Sequence, residues 1–390
     1  MLRKSVGVLI ALGVLLAVVS AVGVVETEPT SVTPHPTDEQ LQREDTVTVV
    51  NASGEFAADL RLITHRADAL AGNDDTVSNF TLGVGGSQRF SSPEPRVGTV
   101  PRLNRTQRRT AGFNQTVPES RSGPLALVDA EPGSRDVTVL LPSPDRLASL
   151  PATTYGQVIA HEMEHLPYRS ADERTVSITR PVYTDTILAS RAVREGVAEH
   201  TGARYVEMYG GDFDRSAPNP EGHWRNRLTS ALYYEGYRYA EATGLRENSG
   251  AEITSTAELL HPTANRSPGA LPDRQFARQL DGVTEPMATN RLGELLVREL
   301  LVSRGEAPGR AGEVAAGWRN GRIDRYDTPD GTVTVWTTVW ANETAAATFA
   351  RVYETNVPTT RVGSFDRGQC GSTERLLLVD GRRVTVVRCS

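Results

Sequence analysis

The stretch from Tyr155 to Leu166, YGQVIAHEMEHL, decides how the rest of the chain is interpreted. It contains His161, Glu162 and His165, and so holds two of the 7 histidines of the chain. On a helix, residues four apart lie on one face with Cβ atoms about 6 Å apart, so both imidazoles can reach one metal ion. Glu162 lies roughly 100° round the helix from His161, where its carboxylate can hold a water molecule without binding the metal.

The residues around this stretch favour a helix. It is predicted to begin at Pro151, with Thr153 or Thr154 near its start, and Pro167 ends it. An apolar strand, DVTVLL, precedes it at residues 136–141. The apolar anchors of the helix are Tyr155, Val158, Ile159 and Leu166. The motif is the HExxH arrangement of zinc hydrolases, and the alternative is a polar surface helix that binds no metal.

A catalytic zinc site needs three protein ligands and one open position for water. A second helix is predicted from Asp185 to Tyr209, and it carries Glu195 in its middle. Gly196 follows directly, and a glycine that costs about 1 kcal/mol inside a helix is explained if two helices approach closely there. Glu195 is therefore the predicted third ligand. Glu199 lies one turn further on the same face and is the alternative ligand.

These pieces together resemble the gluzincin metallopeptidases, with their thermolysin-type and membrane-alanyl-aminopeptidase-type branches. The resemblance rests on His161, Glu162 and His165, followed by the EGVA sequence of residues 195–198. It continues in YYEG, residues 233–236, which is similar to the Tyr-x-x-Gly of the aminopeptidase branch. The likeness covers about residues 136–244, which is under a third of the chain.

The resemblance implies a peptidase with a zincin-like catalytic core. Its zinc ligands are expected to be His161, His165 and Glu195. Glu162 is expected to act as the general base that takes a proton from the attacking water. Tyr233 is expected to donate a hydrogen bond to the negatively charged oxygen of the reacting carbonyl; the alternative for Tyr233 is ordinary helix packing.

The sequence departs from the family in one respect that bears on specificity. The Gly-Ala-Met-Glu-Asn stretch with which the aminopeptidase branch holds a free amino terminus is not present, so exopeptidase action is not supported. Near the motif, Glu164 is expected to be a solvated charge. His200 is expected at the surface or beside the ligands. The overall layout also resembles uncharacterised surface proteins of salt-loving archaea.

The composition of the chain limits the kinds of molecule that it is expected to bind. The 390 residues carry a formal net charge of -6, and Lys4 is the only lysine. A balance of this sign argues against nucleic-acid binding. A peptide or protein is the expected substrate.

The amino-terminal segment predicts export. Residues 1–25 begin with Arg3 and Lys4 and continue as an uncharged run long enough to cross about 30 Å of hydrocarbon. The two basic residues keep the amino terminus inside, so the catalytic part is expected at the cell surface, anchored by this helix or secreted if the helix is cleaved near Ala21 or Gly23. Six glycosylation sequons fit this location, at Asn51, Asn79, Asn104, Asn114, Asn265 and Asn342.

The remaining pattern predicts an α+β protein with distinct regions. Residues 26–45 are a Pro- and Thr-rich tether. Residues 46–324 form the metallopeptidase region. Within it, residues 46–150 contain strands, such as TVTVV at 46–50, and a Gly-, Pro- and Arg-rich piece at 83–124 that predicts long loops, and residues 151–324 are mainly helical. Residues 325–390 form a small α+β module with a helix that Asn342 is predicted to cap. In that module Asp380-Gly381 predicts a hairpin turn that brings Cys370 and Cys389 together, and an exported protein can bridge them by a disulfide.

A second function stays open on the sequence. The chain is then a non-catalytic surface or envelope glycoprotein whose zinc ion stabilises a helical core. A closed site with a fourth protein ligand, such as His200 or His261, favours that function.

Overall fold

The computed structural model describes the helices, strands and adjoining turns of the chain. These are residues 46–50, 60–71, 79–84, 105–113, 127–129, 136–141, 152–165, 183–244 with gaps between 212 and 222, 253–274, 285–365 without 330, and 375–389. All of them belong to the compact unit Gln42–Ser390. The predicted anchor, the tether and the sequons at Asn51, Asn104 and Asn114 lie outside the described residues.

The described residues form ten strands and nine helices, so the predicted α+β class is confirmed. The strands are β1 Thr46–Val50, β2 Asn79–Val84, β3 Leu127–Asp129, β4 Asp136–Leu141, β5 Ala288–Asn290, β6 Trp318–Thr328, β7 Gly331–Trp340, β8 Thr359–Arg361, β9 Arg375–Asp380 and β10 Arg383–Cys389. The helices are α1 Leu60–Ala71, α2 Arg105–Ala111, α3 Ala152–Glu164, α4 Thr184–Tyr209, α5 Trp224–Thr243, α6 Thr256–Leu260, α7 Gly293–Ser303, α8 Pro308–Ala315 and α9 Glu343–Asn356. None of the described helices is both long and apolar enough to cross a membrane.

The first sheet precedes the motif helix in the chain. Its strand order is β1-β2-β4-β3, with β1, β2 and β4 parallel and β3 antiparallel to β4 at one edge. Helix α3, which carries the motif, packs against α1 and α4. The motif helix therefore lies between other helices, and its polar residues do not face solvent on all sides.

The second sheet has six strands in the order β5-β6-β7-β10-β9-β8. Its tryptophans Trp318, Trp336 and Trp340 belong to the same apolar core as Leu228 of α5 and Leu295 of α7. The boundary predicted between residues 324 and 325 falls inside β6. The predicted boundary is too late because β6 already begins at Trp318, in a segment that contains Gly321.

The carboxy-terminal hairpin is present with a different loop. Asp380 pairs with Arg383, so the loop begins at Gly381, one residue later than predicted. Gly381 supplies the positive φ of 54° that a two-residue turn favours. Cys389 ends β10 and is disulfide-bonded. Cys370, the only other cysteine, lies outside the described residues.

Two glycines bring α4 and α5 into backbone contact. A Cβ added at Gly196 would overlap the backbone of Gly236, and one added at Gly236 would overlap the carbonyl of Ala192. The sequence predicts that Gly196 lets α4 approach the motif helix closely, whereas in the structure this close approach is between α4 and α5. The contact with the motif helix is made elsewhere, where Gly156 of α3 faces the ring of Tyr205.

Replacement of Gly196 by alanine is expected to destabilise the protein. The added methyl group meets backbone, which cannot rotate away, and overpacking of this kind costs about 1–3 kcal/mol. The control is Gly309→Ala in α8, where an added Cβ meets nothing within 4 Å and alanine is better than glycine by about 0.5–1 kcal/mol. Urea unfolding of both variants measures the two free energies of unfolding. An equal response would contradict the close approach of α4 and α5.

Candidate metal centre

Three side chains from two helices converge on one point. His161 and His165, on α3, have their Nε2 atoms 3.2 Å apart. The Oε2 atom of Glu195, on α4, lies 3.6 Å from each of these nitrogens. The three groups form the cluster of the described residues that could hold a metal ion. They are the residues that the sequence analysis selects as ligands.

The spacing of these atoms fits a small tetrahedral cation. Zinc binds imidazole nitrogen at about 2.0–2.1 Å, so ligand atoms on a tetrahedral zinc are about 3.3–3.4 Å apart. The observed separations of 3.2 Å and 3.6 Å lie on either side of that value. A point about 2 Å from all three atoms therefore exists between them. Two nitrogens and one carboxylate oxygen are also a donor set that zinc accepts.

The charges at this point call for a cation. Burial lowers the pKa of His161, but hydrogen bonds to the carboxylates of Glu195 and Glu199 outweigh it and raise that pKa to about 10. Burial raises the pKa of Glu195, but the hydrogen bonds from His161 and His165 outweigh it and hold the pKa well below its usual range. Both shifts have one cause, which is that the carboxylates beside His161 favour positive charge at this point.

Glu199 contacts the other side of the first histidine. Its Oε2 lies 3.3 Å from Nδ1 of His161, so it does not share the point between the Nε2 atoms. Its Oε1 forms an ion pair with Arg215. A carboxylate on the second nitrogen of a ligating histidine sets the tautomer and the orientation of the ring. This geometry favours Glu195 over Glu199 as the ligand.

Tyr233 lies beside the motif because of the glycine contact between α4 and α5. Its ring stacks on the ring of His161, with centroids 5.9 Å apart and planes at 15°. Its pKa is raised, first by burial and then by the carboxylate of Glu195, with which it forms a hydrogen bond. The hydroxyl therefore stays protonated and can donate. Tyr234, the next residue, lies instead beside the guanidinium of Arg238.

The two other glutamates of the motif differ in their surroundings. Glu162 is half-buried, and its charge acts on both His161 and Tyr233, so it lies close to the three-atom cluster. Glu164 is not the solvated charge that the sequence predicts. It is 5% exposed and accepts a 2.6 Å hydrogen bond from the hydroxyl of Thr201 on α4. Glu164 thus joins the two helices that carry the ligands.

Three other histidines of the described residues, His200, His223 and His261, take part in different contacts. The ring of His200 lies 5.9 Å from that of Tyr237. His223 caps α5, where its Nδ1 accepts from the backbone N–H of Arg225. The Nε2 of His261 lies 2.8 Å from a carboxylate oxygen of the buried Glu294.

Two arginines near the cluster are missed by sequence reasoning. Arg191 lies one helical turn before Glu195, with its Nε 3.7 Å from Oε1 of that residue. The four-residue spacing on a predicted helix is a signal that could have found it. Arg215 follows α4 in an irregular segment, so no periodicity marks it. Its guanidinium lies 5.4 Å from the ring centre of Tyr233.

A pocket of about 260 Å³ lies between the first turns of α3 and the end of α4. Arg215, which forms the ion pair with Glu199, is part of the wall of this pocket. The remaining lining residues come from the first turns of α3 and from the end of α4 and the segment after it, and they are Thr153, Thr154, Gln157, Val206, Gly211 and Phe213.

Comparison with known proteins reaches only the carboxy-terminal part of the chain. Residues 279–390 match a family model described as a domain of unknown function (DUF8575). The matched range contains α7, α8, α9 and the second sheet, and none of the residues of the three-atom cluster. No curated protein and no solved structure matches the chain.

Proposed function

We propose that this chain is a zinc-dependent hydrolase of peptide bonds. The observation that carries the proposal is the triangle formed by Nε2 of His161, Nε2 of His165 and Oε2 of Glu195. Its edges suit a tetrahedral zinc ion, and the HExxH spacing adds a glutamate that is not part of the triangle. The mixed sheet that precedes the motif helix fits the zincin-like core that the gluzincin resemblance implies.

In this proposal His161, His165 and Glu195 hold the ion. Zinc, when bound, lowers the pKa of a coordinated water to about 7 and polarises a carbonyl group. The carboxylate of Glu199 accepts a hydrogen bond from the N–H at Nδ1 of His161. The Nε2 atom of His161 therefore carries the lone pair that would bind the ion. Arg215 holds Glu199 in that position through their ion pair.

Glu162 and Tyr233 act on the substrate and the attacking water. As a bond forms between the water oxygen and the carbonyl carbon, Glu162 accepts the water proton. It then passes that proton to the amine nitrogen as the carbon–nitrogen bond breaks. Tyr233 donates its hydroxyl to the carbonyl oxygen, which gains negative charge during the attack.

The second function, a closed structural zinc site, needs a fourth protein ligand. Among the described residues, the cluster has three members. The histidines proposed as a fourth ligand have other neighbours, since His261 contacts Glu294 and His200 contacts the ring of Tyr237. The described part of the site therefore favours an open, catalytic coordination position.

A cell-surface location is part of the same proposal and rests on the sequence alone. The apolar segment of residues 1–25 supports a membrane anchor or a cleaved signal, and the sequons support a glycoprotein. The disulfide bond of Cys389 suits an oxidising compartment. We expect residues 1–25 to insert into the membrane, and we expect a peptide or protein substrate to bind at the metal centre.

Metal analysis tests the proposal. The purified chain is expected to bind one zinc ion, and the His161→Ala/His165→Ala double variant is expected to bind none, because it loses both nitrogen ligands. Glu195→Ala should weaken zinc binding strongly, since it removes a ligand. Glu199→Ala should weaken binding only about 10–100-fold, since it changes the orientation of a ligand. Plasma emission spectrometry and chelator competition measure the stoichiometry and the affinities.

An unchanged stoichiometry in the double variant would overturn the site. If Glu199→Ala weakens binding more than Glu195→Ala does, the ligand lies one helical turn further along α4. Digestion of a mixed peptide library by the zinc-loaded chain, followed by mass spectrometry, then separates a peptidase from a protein that only binds zinc.

A further inference from the structure

Arg191 is a buried cation directly beside the carboxylate of the proposed zinc ligand. Its side chain is 8% exposed, and its Nε lies 3.7 Å from Oε1 of Glu195. The other oxygen of that carboxylate, Oε2, lies 3.6 Å from both ligating nitrogens. Oε1 of Glu195 therefore faces Arg191 and Oε2 faces the histidines, while the hydroxyl of Tyr233 also forms a hydrogen bond with this carboxylate.

This division matters because a carboxylate can bind a metal ion through one oxygen or through both. If both oxygens of Glu195 were ligands, the ion would have five ligands together with its bound water, and the position into which a catalytic site expands for the substrate would be filled. A positive charge next to Oε1 stabilises electron density on that oxygen. It thereby opposes the rotation that would bring Oε1 onto the ion.

The surroundings of Arg191 fit a role in the site. Arg191, Glu195 and Glu199 follow one another at intervals of four residues, so they form one stripe along α4. The positive charge of Arg191 also acts on Tyr233. It lowers the pKa of that hydroxyl and so offsets part of the rise that burial causes. The guanidinium is thus close to a proposed ligand and to the proposed hydrogen-bond donor at once.

We propose that Arg191 is a positioning residue that keeps Glu195 a one-oxygen ligand, so that the metal ion has four ligands with its bound water and keeps a free position for the substrate. The proposal rests on the zinc site described above. It adds a residue outside the HExxH pattern, and the role of that residue is to set the coordination number of the ion.

Cobalt substitution tests this role directly. Co²⁺ takes the place of zinc in such sites, and its visible absorption is strong when four ligands surround it and weak when five do. The wild-type chain loaded with Co²⁺ is expected to absorb strongly. In Arg191→Met, which keeps an apolar stem but removes the charge, both oxygens of Glu195 are expected to bind and the absorption to weaken. The dissociation constant for Zn²⁺ is expected to change by about 10–100-fold.

Two further variants separate charge from packing. Arg191→Lys keeps the charge and is expected to restore the strong absorption. Arg194→Met removes a half-buried arginine from the same helix and is expected to leave the Co²⁺ spectrum unchanged. Should Arg191→Met fail to fold, as judged by circular dichroism, Arg191→Gln replaces it and carries the same expectation.

Each result decides between the two proposals. A wild-type chain that binds neither Zn²⁺ nor Co²⁺ overturns the zinc site itself, and the role of Arg191 falls with it. A wild-type chain that binds both ions, together with uncharged variants whose spectrum and affinity match wild type, overturns the role of Arg191 alone. A lysine variant that is folded and as altered as Arg191→Met shows that charge is not the cause and also overturns the role.

Discussion

Glu162→Gln is expected to lower the rate of peptide hydrolysis by a factor of at least about 10² while zinc stays bound. Glutamine has nearly the shape of glutamate, but its amide cannot accept the proton of the attacking water. The ligand atoms of His161, His165 and Glu195 do not belong to the replaced side chain, so the metal content should not change. The rate is measured on a peptide-library substrate found with the wild-type chain, and the zinc content is measured on the same samples.

The matched control lies two residues further along the motif helix. Glu164→Gln changes another glutamate of α3, one that contacts Thr201 and not the three-atom cluster. It is expected to lower stability and to retain most of the activity per zinc ion. Loss of metal together with activity in Glu162→Gln would mark Glu162 as a ligand and would contradict its role as a base.

Tyr233→Phe is expected to reduce turnover by about 10²–10³, which corresponds to roughly 3–4 kcal/mol of transition-state stabilisation. The substitution removes only the hydroxyl, and the ring that stacks on His161 stays. Melting temperature and substrate affinity should therefore change little, and turnover is expressed per bound zinc ion because the hydroxyl also forms a hydrogen bond with Glu195. Steady-state kinetics separate the expected fall in kcat from an effect on KM, and thermal unfolding monitors the fold.

The neighbouring tyrosine is the control for this prediction. Tyr234 lies beside Arg238 and about 100° further round α5 than Tyr233. Tyr234→Phe should leave kcat nearly unchanged. Damage by Tyr234→Phe alone would show that α5 is turned differently in the active protein. If neither variant changes kcat, the hydroxyl of Tyr233 has no part in the reaction.

Much of the local structure could be predicted from the sequence. The strands at residues 46–50 and 136–141 and the long helix now called α4 occur where their patterns indicate. Asn342 caps α9 with its side chain, which accepts from the backbone N–H of Ala345. These predictions succeed because they depend on residues close together in the chain, such as apolar periodicity and a cap three residues from its partner.

Other features depend on distant contacts and could not be predicted. The short helix α2 lies in a Gly-, Pro- and Arg-rich piece that the sequence analysis interprets as loops. It is held by residues far along the chain: the side chain of Arg375 donates to the carbonyl of Arg109, and the hydroxyl of Tyr353 donates to that of Thr110. No local pattern encodes these bonds, because their partners are more than two hundred residues away.

The candidate site shows the same division. The sequence by itself determined the residue types and their helical spacing, which put His161 and His165 on one face and Glu195 on another helix. Only the tertiary structure decided which oxygen of Glu195 faces the histidines, that Glu199 contacts Nδ1, and that Arg215 lies alongside. The physical reason is that spacing along one helix is set by its backbone, whereas the distance between helices is set by packing. Here that packing depends on glycines, such as Gly156 against Tyr205 and Gly196 against Gly236, whose contact partners lie on other helices.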